Sequence, residues 1–188
     1  MTKYRIEKDS IGKIKVSNER IWGAQTQRSL ENFQISNEKI PIELIKAFAV
    51  QKKASAISNV AIGKLEKLIG EKIIDACDKI INGELDDEFP LSVWQTGSGT
   101  QTNMNVNEVI ANYSNKSLGG KLGEYKKVHP NDHCNMGQSS NDSFPTAMHI
   151  SIVLETNKNL FKKIDNFIKI LEKKEKEFNN VIKVGRTH

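Results

Sequence analysis

Three stretches of this chain gather hydroxyl, amide and imidazole groups beside glycine or beside the start of a helical pattern. The first is Thr96-Gly97-Ser98-Gly99-Thr100. Glycine lets backbone approach a ligand, and a helix starting just beyond it offers unpaired N–H groups at the positive end of its dipole. Ser98 and Thr100 add hydroxyl donors, so the stretch can cradle a small oxyanion. It reads equally as a plain N-cap loop, because Ser and Thr are common before helices. A phosphate P-loop is excluded, since the Lys-Ser/Thr pair is missing. Gln138-Ser139-Ser140-Asn141-Asp142 offers the same two readings ahead of a long helical segment.

His129-Pro130-Asn131-Asp132-His133-Cys134 presents three potential zinc ligands, too few for a closed site. Pro130 argues against a helix that would align His129 with His133, so no metal is expected. Gly185-Arg186-Thr187-His188 carries the side chain best suited to proton transfer near neutral pH, although a histidine at a chain end is usually just exposed. His149 and Cys77 fall within helical patterns and read as packing residues. Two helix-start anion sites without a metal motif point to a small carboxylate or phosphate as the ligand.

The elements that must position these loops are mainly helical. Tyr4/Ile6 and Ile14/Val16 alternate across Asp9-Ser10-Ile11-Gly12, a hairpin signal. Pro41 suits a first helical turn, and Leu44, Ala47, Phe48, Ala54, Ile57 and Ala61 follow at helical spacing up to Gly63. A second helix carries Leu65, Leu68, Ile69, Ile73, Cys77, Ile80 and Ile81, and Asn82-Gly83 ends it. A third starts straight after a flexible, hydroxyl-rich loop over 94–103, with Met104, Val109, Ile110, Tyr113 and Leu118 on its apolar side and Gly119-Gly120 as its stop. From Pro145 to Asn179 there is no glycine and no further proline, and Val153, Leu160, Ile164, Phe167, Ile168, Leu171 and Phe178 mark one face. A helix of that length, about 50 Å at 1.5 Å per residue, needs other helices to cover its stripe.

Composition narrows the function classes. The 188 residues are 37% hydrophobic and 27% charged, which excludes a disordered or collagen-like chain. No apolar run approaches the roughly 18 residues of a membrane helix, and the N-terminus lacks a signal-peptide core. Two cysteines do not make a disulfide framework, so a reducing, cytoplasmic setting is expected. Most of the net charge of +5 lies beyond Ser151, where basic and acidic residues alternate as on a solvated helix face. Nucleic-acid binding and membrane association are therefore not expected.

Taken as literal strings, the loops resemble the class II fumarases of the fumarase/aspartase superfamily. The resemblance rests on Thr96-Gly97-Ser98-Gly99-Thr100-Gln101-Thr102-Asn103-Met104-Asn105-Val106-Asn107-Glu108, on His129-Pro130-Asn131-Asp132 and on Gln138-Ser139-Ser140-Asn141-Asp142. Phe144-Pro145-Thr146-Ala147-Met148-His149, Gly185-Arg186-Thr187-His188 and Trp22-Gly23-Ala24-Gln25-Thr26-Gln27-Arg28-Ser29-Leu30 extend it in family order through the chain. Aspartate ammonia-lyase is the nearest competitor. Gly97-Ser98-Gly99-Thr100-Gln101 and Ser139-Ser140-Asn141-Asp142 favour fumarase over it. The superfamily's Gly-Ser-Ser signature loop, most of its central bundle and its C-terminal domain have no counterpart here, as in the N-terminal part of a longer protein.

The resemblance implies a mainly α fold, with an N-terminal helical lyase domain over 1–138 that includes a small β-hairpin. Residues 139–188 would begin the central helical bundle. It implies reversible hydration of fumarate to (S)-malate, a step of the tricarboxylic acid cycle, with no metal or other cofactor. Ser98, Gly99, Thr100, Ser139, Ser140, Asn141 and Thr187 would bind substrate, and His188 would act in acid–base chemistry. His129, Pro130, Asn131 and Asp132 match a second dicarboxylate site. The family's C3 base, a serine, and a substrate-binding lysine lie on the missing loop. Its active sites are shared between the chains of a homotetramer, so a helical fragment that binds dicarboxylates without turnover is the alternative.

Overall fold

A computed structural model describes residues 3–188. It divides into two compact units, one ending at Ser151 and the other beginning at Ile152. The described residues are mainly helical, with one small antiparallel sheet.

The first unit opens on that hairpin, β1 (Tyr4–Lys8) and β2 (Lys13–Ser17). Asp9 closes the turn by accepting hydrogen bonds from the N–H groups of Ile11 and Gly12 at 2.9 and 3.0 Å. Ile14 and Val16 point inward, as alternation predicts. Tyr4 and Ile6 do not, and both stay exposed. The register sets Arg5 opposite Val16 and Glu7 opposite Ile14, and directly opposed residues share a face. The inward face of β1 is therefore charged. Arg5 satisfies the carbonyls of Ser17, Arg20 and Trp22, while Glu7 accepts from the Ala24 N–H and the Tyr125 hydroxyl.

After α1 (Ala24–Asn32), three longer helices build the core: α2 (Ile42–Ala61), α3 (Lys67–Ile81) and α4 (Thr100–Ser117). Phe48, Ile73, Ile80, Val106, Val109 and Ile110 are fully buried in it. On α2 the buried residues are Ile45, Ala47, Phe48, Ala49, Lys52 and Ala56, whereas Ala54, Ile57 and Ala61 are exposed. The apolar spacing thus marks the buried face correctly at Ala47 and Phe48 and leaves it beyond them, because it does not admit a lysine. On α3, Ile73, Cys77 and Ile80 face inward as expected, and Leu68 is exposed. Burial pushes the Cys77 thiol far up, so it stays neutral as a core residue.

Helix α4 is buried on almost every side, although seven of its buried side chains from Asn103 to Asn115 are polar. Most of them bond to backbone elsewhere in the unit, chiefly in segments that have no ladder of their own. Asn105 donates to the Glu88 carbonyl, Asn112 to that of Ile21, Ser114 to that of Lys72 and Asn115 to that of Val128. Glu108 caps α1: its carboxylate accepts from the N–H groups of Gly23, Gln25 and Thr26 at 2.8–3.0 Å and from the Thr26 hydroxyl at 2.6 Å. A Cβ at Gly23 would stand 2.8 Å from a Glu108 carboxylate oxygen, so only glycine fits there.

Helix α5 (Ser140–Glu155) starts five residues before Pro145, which lies inside it rather than at its first turn. The second unit carries α6 (Phe161–Phe178), preceded by a π-helical turn, Thr156–Leu160, that interrupts the single regular helix expected from the sequence. Every residue of this unit retains solvent contact, and Phe161, Ile164, Phe167, Ile168, Leu171 and Phe178 are exposed along α6. No helix of the described residues is long and apolar enough to cross a membrane.

Burial pushes the Glu108 carboxyl up to about 7, against the downward pull of the bonds donated by Thr26 and Gln25. A carboxyl raised on folding contributes stability that is full below its ordinary value of 4.5 and is lost as pH climbs through 7. Urea unfolding across that window should therefore show the wild type losing stability relative to Glu108→Gln as pH rises. A pH-independent difference between the two would contradict this.

Candidate functional site

The structure brings the first and third polar loops together. The Ser98 and Thr100 hydroxyl oxygens are 3.0 Å apart, and Thr100 Oγ1 is 3.1 Å from Ser140 Oγ across forty residues of sequence. A line of three hydroxyls thus joins the first turn of α4 to the first turn of α5. Ser98, Thr100, Ser139 and Asn141 are exposed and Ser140 is half-buried, so a ligand can reach them. Helix N-termini that meet in this way concentrate N–H donors and positive dipole ends on one place, which suits a carboxylate.

The choice between capping and binding divides residue by residue. The N-cap of α4 is Gly99, which has no side chain. Its capping comes from Gln95, whose Oε1 accepts from both the N–H and the hydroxyl of Thr102 at 3.0 Å, while its Nε2 donates to the Ser92 carbonyl. Neither Ser98 nor Thr100 spends its hydroxyl on the helix end. Ser139 does behave as a cap: its Oγ accepts from Asn141 N, and its carbonyl takes both the N–H and the hydroxyl of Ser143. Gly99 sits at φ +69° and closely faces the Phe144 ring, which itself packs 5.8 Å from Phe48. That contact registers the first loop on α5.

The second loop forms a separate place. Pro130 opens a single π-helical turn, Pro130–Cys134, instead of preventing one, because a proline at a first helical position gives up an N–H that has no partner anyway. His129 Nδ1 accepts from the N–H groups of Asn131 and Asp132, and His133 Nδ1 accepts from His129 N at 2.9 Å. Burial lowers the His133 pKa and pushes the Cys134 thiol up to about 12. Among the described residues no three His, Cys, Asp or Glu side chains converge as metal ligands would. A cavity of about 400 Å³ opens here, lined by Asp9, Gln25, Glu108, Tyr125, His129, Pro130 and Asn131. Thr187 and His188 belong to the second unit, where both are exposed.

Sequence reasoning missed the groups that hold the hydroxyl cluster in place. Gln95, Lys52, Asn103 and Asn135 are not catalytic types in a recognisable spacing. The one available signal was the run of amides at Asn103, Asn105 and Asn107, too polar for a helix lying on a surface by one apolar stripe.

A sequence profile described as lyase matches residues 12–188. The chain belongs to this lyase family. Among its relatives, the class II fumarate hydratase of Helicobacter pylori is 56% identical over 98% of this chain. That of Rickettsia prowazekii is 55% identical over all of it. The chain spans about 40% of the length of these lyases. The crystal structure of a class II fumarase from Schistosoma mansoni superposes with a TM-score of 0.92 at 46% identity, over 98% of this chain and 39% of that one.

Gly99 offers a direct check on the hydroxyl cluster. Alanine there meets both a left-handed backbone and the Phe144 ring, a combined cost of about 2 kcal/mol or more. Gly99→Ala should lower the urea midpoint accordingly and speed hydrogen exchange at the Thr100–Thr102 amides. An unaltered midpoint with unaltered exchange would show that the first loop is not registered on α5 in this way.

Proposed function

We propose that the protein of this chain is a fumarate hydratase, adding water reversibly to fumarate to give (S)-malate. The observation that carries the reading is the Ser98–Thr100–Ser140 line of hydroxyls at the meeting of two helix starts. The names of the chain's close relatives in the lyase family support it. In this proposal Ser98, Gly99, Thr100, Ser139, Ser140 and Asn141 hold a substrate carboxylate through hydroxyl, amide and N–H donors. Donors preorganised in this way stabilise the charge that gathers on the carboxylate when the C3 proton of malate is removed. Thr187 belongs to the same binding set. His188 moves the proton that accompanies the departing or incoming hydroxyl, through a water molecule. His129, Pro130, Asn131 and Asp132 form a second dicarboxylate site without chemistry of its own.

The proposal extends to assembly and setting. Residues 1–138 form the N-terminal lyase domain and 139–188 begin a central helical bundle, whose exposed face on α6 is covered in a homotetramer with shared active sites. The protein works in the cytoplasm, in the tricarboxylic acid cycle, on dicarboxylates and without a cofactor. The base that removes the C3 proton comes from outside these 188 residues, so this chain alone binds without turnover.

Incubation with fumarate, with and without ammonia, tests the assignment on a polypeptide of the relatives' full length containing this chain. Malate is the expected product in both cases. Aspartate as the main product would move the protein to the ammonia-lyase branch, and no product would remove the hydratase. In the same polypeptide, His188→Asn should lower kcat by about 10², the size of lost general acid–base help. An unchanged kcat at saturating malate would take His188 out of the mechanism.

A further inference from the structure

Lys52 is the most completely buried charged side chain whose position neither the fold nor the proposed chemistry explains. It is 1% exposed in the centre of α2, and among the described residues no carboxylate pairs with it. Neighbouring Lys53 has such a partner, Asp78, at 2.6 Å. The ionisable groups that face Lys52 are Cys77 on α3 and Cys134 on the π turn. Burial keeps both thiols neutral at pH 7, so neither balances the ammonium. An uncompensated cation in a core is costly, and replacing such a group by an apolar side chain of similar volume is often neutral or stabilising. Stability alone therefore does not account for a lysine here.

Its hydrogen bonds lead to the hydroxyl cluster. Lys52 Nζ donates to Asn135 Oδ1 and to Gln138 Oε1, each at 2.9 Å. These two side chains close the turn that delivers Ser139. Asn135 Nδ2 donates to the Gln138 carbonyl, and Gln138 N donates to the Asn135 carbonyl. Asn135 Oδ1 also accepts from Asn103 and Asn107 on α4, at 3.2 and 3.3 Å. Asn103 Oδ1 in turn accepts from the Ser143 hydroxyl in the first turn of α5. One ammonium thus holds the turn before Ser139 and Ser140, and through Asn135 it holds the helix that carries Thr100.

We propose that Lys52 is a positioning residue for dicarboxylate binding: its ammonium fixes the Asn135–Gln138 turn so that Thr100, Ser139 and Ser140 present their donors to one carboxylate. The inference rests on the dicarboxylate reading of that cluster. Because burial lowers the Lys52 pKa to about 8, the charge is present at pH 7 and is lost as pH rises through about 8.

Succinate is the probe, because it carries both carboxylates and cannot be hydrated. Its binding is measured by calorimetry from pH 6.5 to 9.5 on the polypeptide of the relatives' full length, with fumarate hydration assayed in parallel. The wild type should bind more weakly above pH 8. Lys52→Met should bind at least tenfold more weakly at pH 7, with no further loss above pH 8 and a thermal midpoint at or above that of the wild type. Lys52→Arg, charged throughout, should restore binding and keep it at pH 9.5. Wild-type affinity and pH dependence in Lys52→Met would overturn the proposal. So would wild-type binding that is flat from pH 7 to 9.5, a result that needs no variant to fold. A wild type that binds succinate but does not hydrate fumarate sinks the hydratase reading and leaves Lys52 standing, whereas no succinate binding sinks both.

Discussion

The need to satisfy buried backbone groups in loops that lack secondary structure shapes this chain more than any other constraint. Helix α4 meets it. Its amide and carboxylate side chains accept from or donate to backbone at the start of α1, at Gly23, Gln25 and Thr26, and at Ile21, Glu88, Gly123, Lys127 and Val128. Each such bond contributes only about 1 kcal/mol net, but a buried backbone group left without one costs about 1–3 kcal/mol. A helix that performs this service must itself be buried and correctly registered. The functional loops can then be irregular without being loose.

The same constraint explains how two helix starts are kept open for a ligand. A helix normally spends a nearby hydroxyl on its own N-terminal N–H groups. At α4 that task passes to Gln95, which reaches Thr102 from the preceding loop. Ser98 and Thr100 are left to one another and to Ser140. At α5, Ser139 caps and Ser140 is spared. Capping and binding are thus carried by neighbouring residues of the same chemical type, and at Ser139 by one hydroxyl whose oxygen caps while its proton is left to donate to a ligand, which is why the loops read ambiguously as strings.

What was legible in the sequence obeys local rules. The turn at Asp9–Gly12 and the stops at Gly83 and Gly119 follow from glycine, capping residues and 3.6-residue spacing, and so does the helix after the glycine-rich loop, although it begins at Thr100, inside the stretch read as loop. The loops that carry the proposed site were recognisable from their hydroxyl and amide content. What stayed hidden depends on partners far away in sequence. Arg5 and Glu7 turn inward because loop carbonyls and the start of α1 await them there. The buried face of α2 includes Lys52 because Asn135 and Gln138, more than eighty residues later, accept its protons. Periodicity treats a lysine as a surface residue, so it finds Ala47 and Phe48 but leaves the buried face beyond them. Pro130 reads as arguing against a helix and Pro145 as the start of the long one, and the structure places both within helical turns.

The account depends most on one carboxylate lying against Ser98, Thr100 and Ser140. A crystal structure with succinate of the polypeptide of the relatives' full length tests it directly. A succinate carboxylate within about 3 Å of those three hydroxyls is the predicted result, in the ordinary range for such hydrogen bonds. Succinate found only in the cavity beside His129, with the hydroxyl line untouched, would contradict it.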